Sequence, residues 1–282
     1  MWIKYLTFSC LFLTVCALWI PKKNNKQPWT IGLFVTLSLS LIAKVTPPLA
    51  IIAILILYGL LILYGDASPL YSALLWLSIV VLALGLAVGP MPKFHNLLLL
   101  HEVQFSPNAI PFTLYLNFPK TIIGLMIIGI NLERIHTIPE WKEASKQVIY
   151  RLPMIMLIIA SALMLGYVKF EPKLPNTLGI WMIGNLFFDC LAEEALGRVL
   201  LQDFLKVLPL KYGPYIAVII PGLLFGLAHA AGGLTYVILA TAAGILYGWV
   251  YKVTNRIEVS ILTHFMLNLT HILLLTYPAL IA

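Results

Sequence analysis

Apolar runs separated by short polar segments dominate the chain along its whole length. About 20 helical residues cross a hydrocarbon core about 30 Å thick, and runs of that length lie at 2–20, 29–65, 70–90, 147–168, 176–206, 213–231, 234–252 and 257–277. The run 29–65 is too long for one span, and Pro47 and Pro48 interrupt it, since proline lacks the amide donor and clashes with a preceding helical turn. We therefore predict a hairpin of two helices there. A shorter run, 120–132, either spans with a tilt or only enters the bilayer.

The composition, 61% hydrophobic and 10% charged, agrees with this pattern. Together they predict an all-α fold, a polytopic integral membrane protein of about nine or ten transmembrane helices. No Gly/Ser linker divides the chain. We predict amino-terminal helices over 1–146, with a Pro-rich loop at 90–119 that is a hypothetical lid or partner contact, and a motif-bearing core over 147–282.

The net charge of +7 comes from lysines and arginines in short loops rather than in a stripe. We therefore expect a lipid bilayer and no nucleic acid as its partner. Cytoplasmic loops carry an excess of Lys and Arg, and ten of these residues lie on one side, in loops 21–28, 65–69, 133–146, 206–213 and 252–257. That side is predicted to be cytoplasmic, and the protein to be a multi-pass protein of the plasma (inner) membrane.

Three groups of polar residues interrupt the apolar runs of the second half. Each ionisable side chain in the middle of a span costs roughly 2.5 to 3.5 kcal/mol to insert, so such residues are typical of functional sites. In chain order the groups are Glu193, Glu194 and Arg198, then His229, then His264 with Asn268.

Helical spacing gives the two carboxylates different roles. At 100° per residue Glu194 and Arg198 share a face, which predicts an ion pair that makes both charges tolerable and orients the helix. Glu193 lies on the neighbouring face, with Asp189 one turn earlier. A carboxylate so placed is a candidate general base, and Asp189 either tunes it or pairs elsewhere.

His229 closes a helix in which Gly222 and Gly226 form a small-residue face, and Gly244 with Gly248 repeats this face in the next span. Small residues let helix backbones approach closely in lipid. We expect such packing to bring the histidine up to the helix that carries the carboxylates.

In the last span His264, Asn268 and His271 fall on one stripe, at spacings of four and three. The imidazole of His264 and the amide of Asn268 can both donate hydrogen bonds to a developing oxyanion. We interpret His271 as a lining or interfacial residue rather than a catalyst.

The three groups resemble the motifs of the CAAX-type intramembrane glutamic endopeptidases, also called CPBP or ABI proteins. The family motifs are E-E-x-x-x-R, F-x-x-x-H and H-x-x-x-N/B, and here they read Glu193-Glu194-x-x-x-Arg198, Phe225-x-x-x-His229 and His264-x-x-x-Asn268. The resemblance covers about 145–282. Many members carry an aromatic residue before the arginine and a glycine after it, where this chain has Gly197 and Val199, so we expect a difference in substrate preference more than in reaction.

The resemblance implies hydrolysis of a peptide bond in a membrane-associated peptide or protein substrate, without a metal, other cofactor or covalent intermediate. It implies a polar catalytic cluster inside the helix bundle, in which Glu193 with His229 activates a water molecule. His264 and Asn268 would bind the oxyanion, and Glu194 and Arg198 would support the scaffold.

The residues alone leave alternatives open. Two histidines with one or two glutamates also suit a divalent metal such as zinc, which would make a metal-dependent membrane protease. The polar groups could instead serve architecture, in a catalytically silent scaffold, maturation or immunity protein of the same fold, with His229 simply bonded to a backbone carbonyl. A transporter whose buried carboxylates and imidazoles carry protons is a third possibility.

Overall fold

The computed structural model describes residues 2–22, 27–65, 67–88, 93–209 and 211–281. It is an all-α polytopic membrane protein, as the apolar pattern predicts. The amino-terminal helices are α1 (Trp2–Cys16), α2 (Pro28–Ile42), α3 (Pro48–Gly65) and α4 (Pro69–Val88). The predicted break in the run 29–65 is confirmed: α2 ends before the two prolines, and α3 begins at Pro48, where a missing amide donor is tolerated.

The middle of the chain contains a two-stranded sheet of β1 (Leu97–Val103) and β2 (Phe112–Leu116), followed by α5 (Phe118–Asn131), α6 (Ile138–Ile149) and α7 (Leu152–Met164). The expectation of a loop over 133–146 is wrong, because α6 occupies most of it. The Thr137 hydroxyl and the Glu140 carboxylate form a capping box that starts this helix. The predicted span from 147 is correspondingly divided between α6 and α7.

The carboxy-terminal half begins with a helical segment over 178–206, which we call the glutamate helix. It is followed by α8 (Gly213–Ala228), α9 (Gly233–Thr254) and α10 (Ile257–Leu274). Among the described residues five helical stretches are long and apolar enough to cross a membrane: Trp2–Trp19, Pro48–Gly65, Ile138–Met164, Ala230–Thr254 and Ile257–Leu274. The shorter apolar helices are Pro28–Ile42, Tyr71–Ala87, Phe118–Asn131 and Gly213–Ala228.

The chain forms two compact units that interleave along the sequence. The amino-terminal unit consists of Met1–Leu97, Leu116–His136 and Phe187–Leu200. The carboxy-terminal unit consists of Leu98–Tyr115, Thr137–Leu186 and Leu201–Ala282. The functional division at residue 146, which rests on the position of the motifs, stays a prediction.

In the amino-terminal unit α5 is the central helix, buried at nearly every position from Phe118 to Gly129. The ring of Phe8 packs edge-on against Phe118, with 5.9 Å between the centroids. Gly124 lies against the glutamate helix: a Cβ atom built on it would be 2.8 Å from the Cα of Ala192. Only a glycine allows this approach, which places the segment with both glutamates directly on α5.

Arg134, which is buried, closes the carboxyl end of α5. Its guanidinium donates to the backbone carbonyls of Ile128 and Gly129 and, through Nε, to that of Leu18 at 2.7 Å. The last carbonyls of a helix lack intrahelical donors, so this cation stabilises the helix end, and we assign it a structural role.

In the carboxy-terminal unit α8 and α9 pack through their small residues. A Cβ atom on Gly244 would be 3.0 Å from the Cα of Gly222, and one on Gly226 would be 2.7 Å from the carbonyl oxygen of Val237. Gly222 and Gly226 of the first predicted small-residue face, and Gly244 of the second, therefore pack α8 against α9. The further expectation, that this packing brings His229 up to the glutamate helix, stays a prediction.

The segment predicted as a Pro-rich loop at 90–119 is a hairpin over most of its length, with residues 90–92 lying outside the described ranges. The chain after α10 holds the hairpin turn. The amide of Ile110 donates to the carbonyl of Ala279 at 3.0 Å, and the ring of Tyr277 packs against Phe105 and Phe112, with centroids 5.6 and 5.2 Å away. The hypothetical lid or partner role of this segment stays a prediction.

Lys173, in the connection between α7 and the glutamate helix, caps the end of α10. Its backbone amide donates to the carbonyl of Leu273, and its ammonium donates to that of Leu275. Desolvation lowers the pKa of the Lys173 ammonium, while the nearby charge of Glu171 acts in the opposite direction. A cation at a helix carboxyl terminus is favourable for the helix dipole.

Candidate functional site

Two π-helical stretches flank the paired glutamates within the glutamate helix, Asn185–Cys190 before them and Ala195–Gln202 after them. A π turn closes hydrogen bonds from residue i to i+5, and such turns are frequent at functional sites. Faces derived from a spacing of 100° per residue therefore hold only approximately over this segment.

The predicted ion pair between Glu194 and Arg198 is present. The Nε atom of Arg198 lies 3.0 Å from Oε2 of Glu194 and donates a hydrogen bond to it. The two side chains are 1% and 0% exposed. A buried cation with a bonded carboxylate four residues earlier fixes the rotation of this part of the helix, because either charge alone would be costly there.

Glu193 is half-buried, next to the ion pair and in the same unit. Asp189, one turn earlier, interacts electrostatically with the Glu193 carboxylate and with the Lys120 ammonium. Because both charges act on Asp189, the tuning of Glu193 by Asp189 stays a prediction. A Cβ atom on Gly197 would meet no atom within 4 Å, so there is space where many family members are expected to carry an aromatic residue.

His229 and His264 both contact the ring of Phe225 in the carboxy-terminal unit. The centroid of the His229 ring lies 4.6 Å from that of Phe225, and the His264 ring lies 5.5 Å from it with an interplanar angle of 84°. His264 is buried, and the ring of Tyr247 stacks on it, with 4.4 Å between the ring centroids and an interplanar angle of 15°. The phenylalanine of the second motif is therefore a shared packing partner of both imidazoles.

The hydrogen bond of His229 defines its tautomer. As predicted, His229 closes a helix: it caps α8, and its Nδ1 lies 2.7 Å from the backbone carbonyl of Phe225. Because a carbonyl only accepts, Nδ1 carries the hydrogen in this bond, and Nε2 is the basic nitrogen of the neutral ring. A bond of His229 to a backbone carbonyl is what the architectural alternative predicts, and it is also compatible with a proton acceptor at Nε2.

Asn268 and His271 lie on α10 after His264, but they have different partners. The amide nitrogen of Asn268 donates to the side-chain oxygen of Asn185 at 3.2 Å. His271 contacts the tail of the chain, with Nε2 at 3.2 Å from the Thr276 carbonyl and its ring 5.0 Å from that of Tyr277. These contacts agree with the interpretation of His271 as a residue outside the chemistry.

The predicted site residues divide between the two units. Glu193, Glu194 and Arg198 lie in the amino-terminal unit, whereas His229, His264 and Asn268 lie in the carboxy-terminal unit. Within each unit the structure brings these residues together, through the ion pair in the first and, for the two histidines, through Phe225 in the second.

Sequence reasoning missed two residues of the carboxy-terminal unit. Asn185 is a polar residue inside an apolar run, eight positions before Glu193, and this polarity was a usable signal. Tyr247 carried no signal, because an aromatic residue in an apolar helix is ordinary. Its stacking on His264 depends on how α9 packs against α10, which the sequence does not give.

Comparison with known proteins finds one family model that matches a segment of the chain. Residues 175–270 match the model of the Rce1-like family, described as type II CAAX prenyl endopeptidase Rce1-like. All three motifs lie within the match, so the family resemblance stated from the residues is confirmed over this segment. Neither the curated proteins nor the solved structures provided a match to the chain.

Proposed function

Since residues 175–270 match the model of the type II CAAX prenyl endopeptidase Rce1-like family, we propose that the chain is an intramembrane endopeptidase. Its substrate is a membrane-associated peptide or protein segment, and its location is the plasma (inner) membrane. The observation that carries the proposal is the occurrence of all three motifs, in order, within the matched segment of a polytopic membrane protein.

Glu193 acts as the general base together with His229. The pair takes a proton from a water molecule, whose oxygen attacks the scissile carbonyl carbon. The tetrahedral intermediate then collapses, the C–N bond breaks, and the leaving amine receives the proton. The Nδ1–H tautomer of His229 supports this role, since its basic Nε2 is suited to accept and return a proton.

His264 and Asn268 bind the oxyanion of the tetrahedral intermediate. The imidazole of His264 is held by Tyr247 and Phe225, and the amide of Asn268 is held by Asn185. Donors fixed before the reaction stabilise developing charge without reorganisation, and removing one such donor costs about 100- to 1,000-fold in kcat. Glu194 and Arg198 keep the segment with the base in place.

A divalent metal such as zinc is the alternative means of activating water. Within the ranges that the structure describes, no three His, Cys, Asp or Glu side chains are grouped so that they could hold a metal ion. The proposal of hydrolysis without a cofactor rests on the family resemblance, and treatment with a chelator is its direct test.

The experiment that tests the proposed function is cleavage of a proteome-derived peptide library by the detergent-purified full-length protein. The samples are wild type, His229→Ala and, as a matched control, His101→Ala at an exposed position on β1, each with and without a strong chelator. We expect cleavage by wild type and His101→Ala that survives chelation, and none by His229→Ala.

Other outcomes would support other functions. Cleavage that the chelator abolishes would replace the proposal with a metal-dependent protease. No cleavage by any folded sample would favour the silent scaffold, maturation or immunity protein, and proton-coupled flux in liposomes made with the same sample would favour a transporter.

A further inference from the structure

Asn185 is a polar residue at the start of the first π-helical stretch of the glutamate helix, and it is only 9% exposed. Its side-chain oxygen accepts a hydrogen bond from the amide nitrogen of Asn268, 83 residues later, at 3.2 Å. We propose that Asn185 is a positioning residue, which orients the Asn268 amide for oxyanion binding. The inference rests on the proposed function and adds a residue to its site.

The chemistry of an amide explains why one bond can orient the donor. The NH2 group of Asn268 has two N–H donors in one plane with its carbonyl. The bond to Asn185 uses one of them and fixes that plane, so the direction of the second donor is fixed as well.

The other proposed oxyanion donor is held by a different means. His264, one turn before Asn268 on α10, is buried with its ring stacked on Tyr247. Side chains four residues apart on a helix are neighbours. Aromatic stacking thus restrains His264, and the hydrogen bond to Asn185 restrains the Asn268 amide. Removal of Asn185 should therefore affect only the Asn268 donor.

A structural role of Asn185, as a hydrogen bond that merely holds two helices together, makes different predictions from a positioning role. A purely structural bond lowers stability when either partner is removed, and any fall in kcat then follows the loss of stability. A positioning bond affects kcat only while the Asn268 amide is present, and it leaves the pH dependence of kcat unchanged because neither amide titrates.

The test is a double-mutant cycle on the full-length protein, with kcat, KM and thermal stability measured for each variant. The variants are Asn185→Leu, Asn268→Ala and the double variant, together with Asn185→Asp, which keeps an acceptor oxygen. Gln202→Leu is the matched control, since the Gln202 amide is also buried in a π-helical stretch and donates to the carbonyl of Gly248 at 2.9 Å.

We expect Asn268→Ala to lower kcat by about 100-fold or more and Asn185→Leu by about tenfold, with KM nearly unchanged. The double variant should be no slower than Asn268→Ala within about twofold, because the coupled effects are not additive. Asn185→Asp should retain most of the wild-type kcat, and Gln202→Leu should lose less than about threefold.

Two results would overturn the inference. The first is a double variant whose kcat is lower than that of Asn268→Ala by the full factor seen for Asn185→Leu. The second is a Gln202→Leu variant whose kcat is as low as that of Asn185→Leu. If Asn185→Leu does not fold, the Asp variant decides, and a kcat as low as that of Asn268→Ala in that variant contradicts positioning through the acceptor oxygen. Absence of cleavage by wild type would overturn the proposed function itself and this inference with it, which separates the two failures.

Discussion

The side chains of Glu194 and Arg198 show how a charged cluster is tolerated at a buried position. The two side chains are 3.0 Å apart and almost completely buried, and the desolvation cost of two such charges is large. Each charge therefore depends on its partner, although the pair as a whole need not add stability. Replacement of one partner and of both should consequently have different effects.

We predict that Arg198→Met lowers the free energy of unfolding by about 3–5 kcal/mol, since it leaves the Glu194 carboxylate buried without its cation. The double variant Glu194→Leu/Arg198→Met should be clearly more stable than Arg198→Met alone. Arg256→Met is the control, because the Arg256–Glu140 pair is 38% and 36% exposed and such pairs contribute at most about 1 kcal/mol. Denaturant titration in detergent measures all three, and similar losses for Arg198→Met and Arg256→Met would contradict the account.

Residue-scale contacts were predictable where they are local. The spacing of four between Glu194 and Arg198 predicts their pairing, and the end of the apolar run predicts that His229 closes a helix. The contact of Asn268 with Asn185 joins residues 83 positions apart, and the stacking of Tyr247 on His264 joins two helices, so neither follows from spacing along one element.

At the scale of elements, the close approach of α5 to the glutamate helix positions the carboxylates. Gly124→Val should destabilise the protein by about 1–3 kcal/mol, because its side chain would collide with the backbone of Ala192. It should also lower cleavage by displacing Glu193. Gly59→Val on α3 is the matched control, since a Cβ atom there meets nothing within 4 Å. Melting temperature and cleavage rate are measured for both variants. Equal values for Gly124→Val and Gly59→Val would contradict this role of Gly124.

The elements also show where sequence patterns are insufficient. The break before Pro48 was predicted from proline chemistry, and the apolar runs gave most helices. Helix α6 was missed because its polar residues resemble those of a loop, although Thr137 and Glu140 have the spacing of a capping box. The π-helical stretches could not be predicted, since their apolar pattern is that of an ordinary helix and the wider turns depend on packing.

At the scale of the whole molecule, charge predicts the orientation in the membrane. The loops 206–213 and 252–257 belong to the side with more Lys and Arg, so both should be cytoplasmic. Single cysteines introduced into each loop of a cysteine-free variant should react with a membrane-impermeant thiol reagent only after the membrane is opened. Cysteines introduced near 173, on the opposite side, are the control and should react in intact cells. Reversed labelling would contradict the predicted topology.

The catalytic role of Glu193 is the central claim, and one comparison of rates tests it most directly. Glu193→Gln removes the base while keeping the size of the side chain, and Glu143→Gln makes the same change at an exposed position on α6. On a substrate that wild type cleaves, and with melting temperatures matched, we predict a loss in kcat of at least about 100-fold for Glu193→Gln and none for Glu143→Gln. Cleavage by folded Glu193→Gln at a rate near that of wild type would contradict the proposed mechanism.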